Sequence, residues 1–294
     1  MFLIPEDSGL FRALERLVDT RKMVFLAGLP GTGKSLLLQQ LAILAHGRGR
    51  TPHLLQWDVC RLPFLTNDRV KEHYHEQDGI THAGVRKAVG LWARRAVGLW
   101  AEAHRDDRDI LIGEVPIIGN RLVELVRREQ DPVEPLLSDG ESAYFAIPTP
   151  SRRVRRLIEA KRKERSVSPL HEREKGDAQP DIMYALWEDL RAVASRFGLL
   201  DEAGKACGTG AGAGAYDPDL YSDTYSALLK RRPAGRIDLD MLLSTEGWSV
   251  YDLSAGQRDL VPSAQEVEAA IREMEEQYAR PEALARAVER WYEV

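Results

Sequence analysis

The chain has 294 residues, of which 44% are hydrophobic and 30% charged, with a net charge of −5. That is room for one large α/β domain or two small ones, and it gives no reason to expect a general affinity for nucleic acid. No apolar run approaches the roughly 20 residues of a bilayer-spanning helix. The start carries no basic segment ahead of an apolar one, and two cysteines, Cys60 and Cys207, without a CxxC pair, argue against a disulfide framework and for a reducing cytoplasm.

In chain order, residues 8–20 read as a helix that Ser8 can cap, with Leu10, Leu14, Leu17 and Val18 on one face. Met23 to Ala27 reads as a short buried strand, and Leu36 to Ala45 as an apolar helix. His53 to Trp57 is a second strand, ending at Asp58. A helix-rich insert covers about 66–106. Within it Ala88-Val89-Gly90-Leu91-Trp92-Ala93 recurs as Ala96-Val97-Gly98-Leu99-Trp100-Ala101, an offset that puts both Leu-Trp pairs near one helix face, as a core stripe would. Asp109 to Glu114 and Ala143 to Ile147 are further strands. A basic helix follows at Ser151 to Arg165, then a helix at Asp181 to Phe197 and a glycine-rich linker at 207–215. Short strands are expected at Arg236 to Leu239 and Ser249 to Asp252. The capping box Ser263-Ala264-Gln265-Glu266 opens the first of two C-terminal helices within 263–293. Strands alternating with helices predict a parallel sheet covered on both faces, with ligands at the carboxyl ends of its strands.

The segment Gly28-Leu29-Pro30-Gly31-Thr32-Gly33-Lys34-Ser35 matches GxxxxGK[ST] in full, between an apolar strand and a helix. The glycines let successive N–H groups turn inward onto phosphate oxygens, and the helix amino terminus favours anions there. Gly28, Pro30, Gly31, Thr32, Gly33, Lys34, Ser35 and Leu36 are therefore expected to bind a nucleoside triphosphate. Lys34 would reach its β- and γ-phosphates and Ser35 would ligate Mg²⁺. This resembles the P-loop nucleoside triphosphatases, and the resemblance implies a three-layer fold, a mostly parallel five-stranded sheet flanked by helices, over 1–294.

Three features resemble the small-molecule kinase branch. Asp58 and Arg61 follow the second strand as Asp-x-x-Arg, similar to adenylylsulfate kinases and zeta-toxin-like kinases. The resemblance implies that Asp58 accepts the acceptor's hydroxyl proton and Arg61 holds an anionic part of it, although Asp58 can equally cap a helix. Ile110-Leu111-Ile112-Gly113-Glu114 is similar to a Walker B strand with Gly113 in the usual Asp position, leaving Glu114 to hold a magnesium-bound water or the acceptor. Residues 151–175 carry ten basic groups against four acids, where nucleotide kinases keep a lid. With a lid at about 151–180, Arg162 and Arg165 are the first candidates to neutralise the transferring phosphoryl group, and Arg156 the second. His73 and His75, two apart, do not suggest a metal pair.

The sequence thus predicts an ATP- and Mg²⁺-dependent kinase, with a nucleotide and an unidentified small-molecule acceptor as its partners, and no membrane or specific nucleic acid. An AAA-type ATPase is the alternative, since Gly-Leu-Pro-Gly-Thr-Gly-Lys-Ser is close to the AAA spelling. Gly113 and the lack of a clear sensor arginine speak against it. A regulatory nucleotide-binding module without turnover is the third reading. No Asn-Lys-x-Asp segment suggests a GTPase.

Overall fold

Five apolar residues, Met23–Ala27, form β1, and all five are buried. A strand with no polar face must be covered on both sides, which places it inside a parallel sheet. In the computed structural model, which describes residues 2–76, 80–201, 204 and 215–294, β1 lies inside a six-stranded sheet. The other strands are β2 (Thr51–Leu55), β3 (Asp109–Val115), β4 (Ala143–Pro150), β5 (Ala234–Leu239) and β6 (Arg258–Asp259). Their order is β5-β4-β1-β3-β2-β6, and every pairing is parallel. Residues 207–214 of the expected glycine-rich linker lie outside the described residues.

The helices are α1 (Gly9–Thr20), α2 (Lys34–Gly47), α3 (Trp57–Cys60), α4 (Leu62–Thr66), α5 (Asp68–His73), α6 (Ala83–Ala103), α7 (Glu134–Ser138), α8 (Arg152–Val167), α9 (Pro180–Arg196), α10 (Pro218–Leu228), α11 (Ala264–Gln277) and α12 (Pro281–Glu289). The pleat of β1 divides the core. Val24 and Leu26 pack with Leu14, Leu17, Leu37 and Leu41 of α1 and α2. Met23, Phe25 and Ala27 face the other way, towards α6, α9, α10 and α11. The α6 repeat supplies that second layer with its tryptophans: Trp92 and Trp100 are buried, while Leu99 is exposed.

The caps read from sequence are present. Ser8 Oγ accepts from the Phe11 N–H at 3.0 Å, and Ser263 and Glu266 complete a reciprocal box. Three expectations need correction. The sheet has six strands, wholly parallel, rather than five mostly parallel ones. Ser249 to Asp252 is a turn; the sixth strand is Arg258–Asp259, two residues held to β2 at the sheet edge. The second strand ends at Leu55, so Asp58 sits in the single turn of α3. No helix among the described residues is long and apolar enough to cross a membrane.

Candidate functional site

The register of the sheet sets the site. Leu26 of β1 pairs with Glu114 of β3, two residues before the Gly28–Ser35 loop leaves the sheet. Gly31 and Gly33 take left-handed φ values of 76° and 85°, which residues with a Cβ adopt at a cost. A Cβ at Gly31 would collide with the Met183 methyl and lie 3.0 Å from Arg155 Nη1. One at Gly28 would collide with the Tyr221 hydroxyl. Gly33 then caps α2, whose first N–H groups have no partner four residues back.

Within the loop the Leu29 carbonyl accepts from Thr32 Oγ1 and from Lys34 Nζ, both at 2.8 Å. Lys34 and Glu114 are each 8% exposed. Burial pulls the Lys34 ammonium down from its ordinary pKa and pushes the Glu114 carboxyl up, and the two opposite charges partly offset this in each other. Asp58 acts on both, raising each. It is half exposed, with its Oδ1 3.4 Å from Arg61 Nε. Arg61 Nη1 in turn donates to Glu76 Oε1 and Thr81 Oγ1, each at 3.0 Å, so this guanidinium is already engaged by acids.

A cavity of about 160 Å³ opens between the loop, α8 and the 239–251 segment. Gly31, Gly33, Lys34, Ser35 and Leu36 line one side of it, and Arg162 and Arg165 the other. Val154, Ile158, Leu239, Met241 and Trp248 make the rest largely apolar. Arg162 donates to the Ala178 carbonyl at 3.2 Å and lies 3.8 Å from Asp177; Arg165 donates to the Thr245 carbonyl at 3.2 Å. Arg156 is exposed on α8 and outside the cavity.

Sequence reasoning passed over Arg155. This side chain is 3% exposed and donates through Nη1 to the Pro30 carbonyl at 2.7 Å and through Nε to Glu159 at 2.7 Å. The signal was present: residues 155, 158, 162 and 165 follow the three-four spacing of one helix face, and 156 does not. Arg173 was likewise counted only as part of a charge run. Its guanidinium lies 4.4 Å over the Tyr251 ring and donates to Gln56 Oε1 at 3.0 Å, within electrostatic reach of Glu114.

After β3 the chain makes an unusual crown. Ile117, Asn120 and Leu122 all have positive φ, at 59°, 62° and 57°, and Gly119 has 75°. The conformation is held by the reciprocal backbone pair Ile117–Arg121, at 3.0 and 3.2 Å. Far from this edge, towards the amino ends of β2 and β3, His53 Nε2 meets Asp109 Oδ1 at 2.8 Å, with His104 packed alongside. No protein-family model, curated protein or solved structure matches the chain.

Proposed function

We propose that this chain binds Mg²⁺·ATP at the Gly28–Ser35 loop and transfers the γ-phosphoryl group to a small-molecule acceptor. One observation carries the reading: the glycine-rich loop, with its lysine and serine, shares a single cavity with two arginines of α8, while an acid stands on the adjacent strand. The donor set fits the group. The glycines form a cradle that a Cβ would fill at Gly28 and Gly31, and unpaired helix N–H groups, an ammonium, guanidiniums and a hydroxyl are the chemistry a triphosphate needs.

Lys34 exchanges the Leu29 carbonyl for phosphate oxygens. Ser35 Oγ, and Glu114 through a water, would hold Mg²⁺, which would neutralise charge on the phosphates. Arg162 and Arg165 leave neutral or weakly held partners for the transferring group. The acceptor oxygen forms a bond to Pγ, the Pγ–O bond to ADP breaks, and the acceptor's proton goes to Asp58. The apolar cavity walls exclude water beside the loop.

The test is calorimetric binding of a non-hydrolysable ATP analogue with Mg²⁺, followed by ADP release with a metabolite panel. Wild type should bind one equivalent and Lys34→Ala should bind at least about tenfold more weakly, the loss of a charge-assisted hydrogen bond. Asp58→Asn should keep binding and lose transfer. ADP release without a phosphorylated product would fit the ATPase reading instead, and equal binding by Lys34→Ala would remove the loop from the site.

A further inference from the structure

Arg86 and Arg121 come together at the crown after β3. Arg86 stands in the first turn of α6 and donates through Nη1 to the Gly119 carbonyl. Arg121 Nη1 donates to the Ile118 carbonyl at 3.2 Å. A Cβ on Gly119 would lie 3.3 Å from Arg121 Nη1 and 3.5 Å from Arg86 Nη1, so the two guanidiniums flank one point. Neither has an ion-pair partner within 4 Å among the described residues. The carboxylate charge both feel belongs to the exposed Asp189 of α9, and Arg121 feels Asp58 more strongly still. Burial depresses both arginines, and the Arg121 charge depresses Arg86 further, to about 10. Two half-buried positive charges with no acid in contact are costly unless something anionic completes them.

The backbone gives an independent indication. Ile117 is β-branched, and its positive φ is an outlier; Asn120 and Leu122 also take positive φ within the same six positions, so the segment stores backbone strain. Beside Arg121, Asn120 is fully buried and neither its amide nitrogen nor its oxygen has a partner among the described residues. Such a segment persists where the surrounding contacts over-determine it. Arg121 lies within electrostatic reach of Asp58 and Arg61, the groups on the acceptor side of the site.

We infer that Arg86 and Arg121 clamp a phosphate group already carried by the acceptor, so that the substrate class is a phosphate ester rather than a neutral alcohol. This rests on the phosphotransfer reading above. The clamp is separate from the Gly28–Ser35 loop: the two lie on different strand ends, and Arg61, held by Glu76 and Thr81, is a poorer candidate for the same task. A tetrahedral dianion suits two guanidiniums, each offering several N–H groups, better than a carboxylate does.

The test uses inorganic phosphate as the probe, titrated calorimetrically into the full chain carrying Lys34→Ala, so that the loop does not compete. One site is expected. Adding Arg121→Gln should weaken it by about tenfold or more, the scale of one charge-assisted hydrogen bond. Adding Asp189→Asn should tighten it, because the competing carboxylate charge is gone. A merely structural role for the arginines would not produce that opposite sign, and Asp189→Asn does not touch the crown's backbone bonds if Arg121→Gln fails to fold. No phosphate binding in Lys34→Ala, or binding indifferent to both added substitutions, overturns the clamp. If wild type binds the ATP analogue but Lys34→Ala ignores phosphate, the clamp fails and the donor site stands. The reverse pattern would sink the donor site and keep the clamp.

Discussion

Lys34 donates to a carbonyl of its own loop, with Glu114 close enough to oppose the loss of its charge. Binding a triphosphate needs the ammonium charged, and holding Mg²⁺ needs the carboxylate charged. Affinity for the Mg²⁺·ATP analogue should therefore fall on the alkaline side as Lys34, depressed by burial, loses its proton, and on the acid side as Glu114, raised by burial, takes one. A calorimetric pH series would give a maximum between these limits, and Glu114→Gln should abolish the acid limb and move the alkaline one to lower pH, because the Glu114 charge holds the Lys34 proton on. An affinity flat from pH 6 to 9 would refute this pairing of charges. Arg155 offers a second contrast. Arg155→Ala removes a buried cation from the Pro30 carbonyl and from Glu159, and should lower both stability and analogue affinity by about 1–3 kcal/mol. Arg156→Ala, one position on and exposed, should stay within about 0.5 kcal/mol in chemical denaturation.

At the scale of elements, α6 shows which half of a pattern carries weight. Trp100 is 5% exposed against the second core layer, whereas Leu99 beside it is 57% exposed. Trp100→Ala should cost about 3–5 kcal/mol and Leu99→Ala almost nothing, read as denaturant midpoints at unchanged slope. The spacing argument in the sequence found the tryptophans of this face because helix period is a local property, but it wrongly put Leu99 on the same stripe, since neighbours on a helix point about 100° apart. The turn of the loop was legible for the same reason, its glycines falling within eight consecutive residues. Arg86 and Arg121 were not, because the pairing joins the start of α6 to a crown more than thirty residues away, and no local spacing encodes that meeting. Nor could β6 be read: two residues, both exposed, carry no alternation, and their strand character comes wholly from β2. The turn at Ser249 to Asp252 was mistaken for a strand because Val250 and Tyr251 look like strand residues, yet their side chains serve the cavity wall and a 2.6 Å bond from Tyr251 to Asp177.

Across the whole molecule, charged groups tie distant pieces of chain. Glu134 of α7 accepts from Arg232, fully buried at 2.8 Å, and from Arg94 of α6 at 2.9 Å. Burial pushes its carboxyl up, but the two guanidiniums outweigh that and hold it far below the usual carboxylate range. A depressed folded-state pKa stabilises the protein above about pH 4.5, and the contribution is lost progressively as pH falls below that. Acid unfolding should therefore begin at higher pH in Glu134→Gln than in wild type; superimposable acid transitions would rule the tie out. A different chain of contacts runs from the segment after α8. Arg173 holds Gln56, Gln56 donates to Asp259 at 2.9 Å, and Asp259 lies in β6. That edge strand is fastened by two register positions and by the Leu260 N–H on the Leu54 carbonyl. Its amides thus sit at the end of a lever whose other end is the segment after α8. Deuterium uptake at Leu260 becomes a clock for that segment: each excursion of Arg173 that releases Gln56 lets the shortest strand of the sheet fray.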